Sequence, residues 1–126
     1  MRRRCGSKRL AAAILSLSAL GLAGCGHAAR VGTDRTLTVG LTEYRVTPPD
    51  VRLSQGLLTI VVHNYGKLTH NLSVSLDGVP EGATPPIPAG QSADLALQLT
   101  PGKYDMASTL LSDEALGAYG TLTVTR

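Results

Sequence analysis

The stretch from Thr100 to Val124, TPGKYDMASTLLSDEALGAYGTLTV, decides how the chain is read. It holds two strand-like runs joined by a loop. The first run follows the Pro101-Gly102 turn through Tyr104 and Met106; the second places Leu122 and Val124 on one side and Thr121 and Thr123 on the other. Alternation with period two is the mark of a half-buried strand. The loop between them, from Ser108 to Tyr119, is small and polar except for its leucines and Tyr119.

The same test finds strands upstream. Leu37, Val39 and Leu41 share one side of a run beginning at Thr36, and Val51-Arg52-Leu53 makes a short strand after the Pro48-Pro49-Asp50 turn. Ser54-Gln55-Gly56 turns the chain into Leu57 to Tyr65, the most apolar run, whose inward set reads as Leu58, Ile60 and Val62. Leu72, Val74 and Leu76 mark another strand, as do Leu95, Leu97 and Leu99. Between these two, Asp77 to Ala89 is rich in Pro and Gly, which predicts a surface loop with no ladder. Seven to eight short strands with no amphipathic helix predict an all-β, Greek-key sandwich or barrel. Thr100 to Tyr104 has the form of a tyrosine corner, in which a Tyr hydroxyl bonds back to nearby backbone.

In its turns the chain resembles the cupredoxins, small secreted β-barrels that hold one copper ion. The opening EYRVTPPDVRLSQGLLTIVVHNYG is similar to theirs, with Tyr44 at the aromatic position and Asn64-Tyr65-Gly66 at the end of the central strand. The resemblance covers about Leu37 to Thr125. It implies copper ligands at His70 and, counted from Tyr104 in the Gly102-Lys103-Tyr104 turn, at a Cys, a His and a Met. Those three positions carry Ser108, Asp113 and Ala118, so the expected thiolate, imidazole and thioether are replaced by a hydroxyl, a carboxylate and a methyl group. The resemblance also implies that Asn71 braces the ligand loop. The resulting expectation is a domain without a cofactor, its ligand positions vestigial at His70, Ser108, Asp113 and Ala118. The alternative is a reduced copper or zinc site at His70 with Asp113 or Glu114.

The N-terminus predicts export. Arg2, Arg3, Arg4, Lys8 and Arg9 precede an apolar run from Leu10 to Leu22, too short for a permanent membrane span, and Leu22-Ala23-Gly24-Cys25 resembles a bacterial lipobox. Residues 1–24 read as a lipoprotein signal peptide, 25–35 as the lipidated Cys25 and a flexible tether, and 36–126 as the domain. Two acyl chains anchor stably where one does not, so the expected location is the cell membrane, on the extracytoplasmic face. With the signal removed, seven Lys and Arg stand against nine Asp and Glu, a formal balance of −2 that excludes a nucleic-acid partner. Cys5 leaves with the signal and Cys25 takes the lipid, so no thiol remains for a disulfide or a nucleophile.

His70, Ser108 and Asp113 are also the residue types of a hydrolytic triad. The sequence offers no oxyanion hole, so a hydrogen-bonded polar cluster is expected there and no catalytic residue is assigned. Met106 is read as core filling, His63 as a surface residue and His27 as part of the tether. The expected role is a binding or structural module whose partner, a protein or a small ligand, meets the loops around His70, Gly82 to Pro88 and Ser108 to Tyr119.

Overall fold

The computed structural model describes residues 28–110 and 116–126. Ten strands build two facing sheets: β1 Ala29–Arg30, β2 Thr36–Thr42, β3 Arg45–Thr47, β4 Asp50–Ser54, β5 Gly56–Asn64, β6 Ser73–Leu76, β7 Val79–Ala83, β8 Ser92–Leu99, β9 Gly102–Ala107 and β10 Tyr119–Thr125. One sheet has six strands in the order β1-β4-β10-β9-β6-β7, and the other has four in the order β3-β2-β5-β8. The pairs β2/β5 and β4/β10 are parallel, and the long crossovers they require lace the two sheets together.

The alternating leucines and valines face each other across the sandwich. Leu37, Val39 and Leu41 of β2 and Leu58, Ile60 and Val62 of β5 are buried against Val74, Tyr104, Met106, Leu122 and Val124 of the opposite sheet. Met106 is core filling, as its strand position predicts. Without Trp or Phe this aliphatic layer carries most of the burial, and each of these side chains contributes about 1.5–3 kcal/mol when fully buried.

Tyr104 turns the chain from one sheet to the other. Its Oη donates to the Thr100 carbonyl at 2.9 Å and accepts from the Thr100 amide at 3.2 Å, so the β8–β9 corner is tied by one side chain. Tyr104→Phe should therefore cost about 1 kcal/mol, seen as a fall in Tm of roughly 4–8 °C for a domain of this size. Differential scanning calorimetry checks it, with unchanged far-UV circular dichroism as the control.

Three expectations are corrected. Val79–Ala83 is a strand, not a loop: it pairs with β6 at the sheet edge, where Pro80 withholds no hydrogen bond from a further strand, and the ladder shifts register between Val74 and Ser75. The strand count rises from seven or eight to ten, because β1 and β3 are too short to show a period. The segment read as a tether is docked from β1 onward, since Ala29 and Arg30 pair with Val51 and Arg52. Arg35, at φ 56°, bonds Ser54 and the Leu57 carbonyl through its guanidinium. The signal segment, Cys25 and His27 lie outside the described residues.

Candidate functional site

Strand parity delivers the site's residues to one end of the sandwich. β5 ends inward at Asn64, which has no exposed surface, and a buried amide must be satisfied. Its Nδ2 donates to the carbonyls of Leu68 and Ile87, both at 2.8 Å, and its Oδ1 accepts from the Gly66 amide at 2.8 Å. The loop leading to His70 is thus wrapped around one side chain. Ile87, buried within the Pro-rich segment, exchanges backbone hydrogen bonds with His70 at 3.1 and 2.7 Å.

His70, Ser108 and Ala118 are brought together, all with no exposed surface. The Asn71 amide donates to Ser108 Oγ at 3.4 Å, and the Ser108 amide donates to the Ala118 carbonyl at 3.0 Å. Asn71 braces the loop: its Oδ1 accepts from the Thr109 amide at 2.8 Å and its Nδ2 donates to Thr109 Oγ1 at 2.9 Å. Asp113 and Glu114 lie outside the described residues, so the triad arrangement has two of its members here. Ser108 is not exposed to a substrate. Tyr44 is 64% exposed, so it stands on the surface and not in the packed position that an aromatic of the opening strand suggests.

One partner of His70 comes from the turn after β2. Glu43 extends the inward parity of Leu37, Val39 and Leu41 just past the end of β2, and its Oε1 lies 3.5 Å from His70 Nε2. That oxygen also accepts from the amides of Lys67 and, at 2.9 Å, Leu68. Gly66 makes room for the pair: a Cβ there would stand 2.5 Å from Glu43 Oε1 and 3.0 Å from His70 Nε2. His63, by contrast, points to the outer face of β5, where Nδ1 shares a hydrogen bond with Ser92 Oγ at 2.5 Å and the ring leans on Tyr65.

The hydrogen bonds from the Leu68 and Lys67 amides, with its own amide and then His70 adding to them, hold the Glu43 carboxyl down from 4.5 to about 2 against a smaller opposing effect of burial. The carboxylate is therefore charged throughout the physiological range. Because the folded pKa is depressed, the unfolded chain binds more protons between these values. The Glu43 contribution to stability is complete above about 4.5 and is lost as pH falls toward about 2. Glu43→Gln should flatten that part of the stability–pH curve, as urea melts from pH 5 downward will show. An unchanged slope would mean the carboxylate is not held this way.

With the geometry in view, the class is clear: the domain has a cupredoxin-like fold. No protein-family model matches the sequence, and no curated relative does either. Among solved structures, the chain is similar to dithionite-reduced auracyanin from the photosynthetic bacterium Roseiflexus castenholzii, at 18% identity and a TM-score of 0.69 over 75% of this chain and 100% of that one. It is similar to auracyanin A, a "blue" copper protein from Chloroflexus aurantiacus, at 16% identity and a TM-score of 0.66 over 76% of this chain and 99% of that one. A multicopper oxidase shares the fold at 18% identity and a TM-score of 0.56, over 71% of this chain and 41% of that one.

The expectation of a domain without a cofactor is overturned by these likenesses, since the fold is that of copper proteins. The donor set decides which copper chemistry fits. The chain has Cys only at 5 and 25, so residues 28–126 supply no thiolate, and a blue-copper centre needs one. Among the described residues no three His, Cys, Asp or Glu side chains cluster, and the donors that approach each other are the His70 imidazole and the Glu43 carboxylate, one nitrogen and one oxygen. Cis positions of a tetragonal Cu(II), the geometry that ion takes with nitrogen and oxygen ligands, stand roughly 3 Å apart at bonds of about 2.1 Å. The 3.5 Å between Nε2 and Oε1 would close by about half an ångström around a single ion.

Proposed function

We propose that this chain is a lipid-anchored protein of the extracytoplasmic membrane face whose cupredoxin-like domain binds copper as Cu(II) through His70 and Glu43. It acts as a metal-handling or binding module and not as an enzyme. The observation that carries the reading is the 3.5 Å approach of a buried imidazole to a carboxylate whose charge is fixed by backbone hydrogen bonds. A fixed negative charge beside a nitrogen donor favours a cation over a neutral ligand.

His70 supplies the nitrogen, Glu43 the oxygen and the compensating charge, and Asn64 and Gly66 hold the loop in place. Copper taken by these donors is kept as Cu(II), the state that imidazole and carboxylate favour over thiolate-bound Cu(I). Without a sulfur ligand the domain does not pass electrons as a blue-copper protein does. The exposed Leu68 and Tyr119 flank the loops carrying His70 and Ala118, which suits a partner that meets the domain at this end.

Titration calorimetry of the purified protein with Cu(II) tests the reading. Binding of one equivalent is expected from the wild type, no binding from His70→Ala, and affinity lower by at least roughly 10-fold from Glu43→Gln, since losing a direct ligand should cost no less than losing a group that only orients one. Binding that survives His70→Ala contradicts it. The anchor is tested separately by labelling with palmitate, which Cys25→Ala should abolish.

A further inference from the structure

We propose that the β1–β4 edge of the six-stranded sheet faces the membrane, where Arg30 and Arg52 bind the phosphate groups of anionic lipid headgroups. This inference rests on the lipid anchor at Cys25 but not on copper binding.

The register places Arg30 directly opposite Arg52 on neighbouring parallel strands, and both are exposed. Like charges facing each other on a sheet destabilise it unless something neutralises them. The row continues across the sheet through Thr123, opposite Arg52, to Lys103, opposite Thr123. Three cations thus stand in one line on the outer face. The nearest acids on that face, Asp50 and Asp105, pair with Thr121 one row toward Tyr119. On the other side, a pocket of about 330 Å³ is lined by Arg30, Val31, Arg52, Leu53, Ser54 and Thr125, two guanidiniums and two hydroxyls with no carboxylate among them. Guanidinium forks match phosphate oxygens in geometry as well as charge.

The proposed anchor would put the membrane close to this pocket. Ala29, the first residue of β1, is four residues after Cys25, and four residues reach at most roughly 14 Å even when fully extended. A diacylated Cys25 therefore keeps the β1 edge within headgroup distance and leaves little freedom to turn it away. The anchor supplies attachment, and the arginine pair supplies orientation on an anionic surface.

The test uses the mature lipidated protein bound to vesicles in phosphate-free buffer. Thr123→Cys, beside Arg52 on the outer face, takes a spin label, Cys25 being blocked by its lipid. The readout is the label's collision rate with membrane-dissolved oxygen. Adding phosphatidylglycerol to phosphatidylcholine vesicles should raise that rate severalfold, and the double variant R30Q/R52Q should return it to the phosphatidylcholine level with unchanged circular dichroism. An equal rate in both lipids while the protein stays bound overturns the orientation, as does a response to phosphatidylglycerol that survives R30Q/R52Q. Protein that washes off both kinds of vesicle overturns the anchor and the orientation with it.

Discussion

Asn64→Ala is expected to lower the Tm by roughly 15 °C, a loss of about 3 kcal/mol in a domain of this size. The side chain has no exposed surface and makes three hydrogen bonds of 2.8 Å. Truncation leaves the carbonyls of Leu68 and Ile87 and the amide of Gly66 without that partner, and the buried ones cannot all turn to water. A buried group stripped of its partner costs about 1–3 kcal/mol. The damage should be local as well as global. Residues 65–70 lose their wrapping, so hydrogen exchange at the Gly66 and Leu68 amides should accelerate more than exchange within β5. If Asn64→Ala melted within a degree or two of the wild type, the loop would not depend on this side chain.

Gly66→Ala should separate binding from folding. Its Cβ would lie 2.5 Å from Glu43 Oε1 and 3.0 Å from His70 Nε2, closer than non-bonded atoms pack. Glu43 can move only by releasing the amides of Lys67 and Leu68. His70 is held by its backbone exchange with Ile87. The methyl group therefore parts the two donors, and Cu(II) affinity should fall by roughly 10–100-fold. The cost to Tm should be smaller than that of Asn64→Ala, because the buried amides keep their partners. Titration calorimetry and a melting curve on the same preparation check both halves. Unchanged affinity in a folded Gly66→Ala protein would place the copper donors elsewhere.

Much of the fold was legible because aliphatic residues alternate cleanly. Leu37, Val39 and Leu41, then Leu58, Ile60 and Val62, then Leu122 and Val124 are inward as their spacing requires. Tyr104 makes its corner. In one segment edge geometry overrides what composition suggests. Pro80 and Gly82 do not prevent a strand when nothing pairs beyond it, and Val79–Ala83 is such an edge. β1 and β3 gave no signal, because two or three residues cannot display a period.

The site was only half visible. His70 and Ser108 stand out as residue types in a resembling motif, and the neighbour of one, Asn71, bonds the other. Glu43 does not stand out, and Asn64 stands out only as part of a resembling strand end, although strand parity marks them both. Each continues an inward series, after Leu41 in one case and Val62 in the other, and a polar residue at an inward position on a strand's end must find a partner. Extending the alternation by one step would have singled out both. What no pattern shows is that these two strand ends and the Pro-rich segment close around the same loop, since that depends on the pairing of β2 with β5 and of His70 with Ile87.

The most direct test is electron paramagnetic resonance of the protein after one equivalent of copper has been added. The expected signal is that of Cu(II) held by nitrogen and oxygen, with hyperfine structure from one imidazole that disappears in His70→Ala and a perturbed spectrum in Glu43→Gln. No intense thiolate-to-copper absorption is expected. A spectrum identical to that of copper in buffer, or a blue-copper signature, would contradict this assignment.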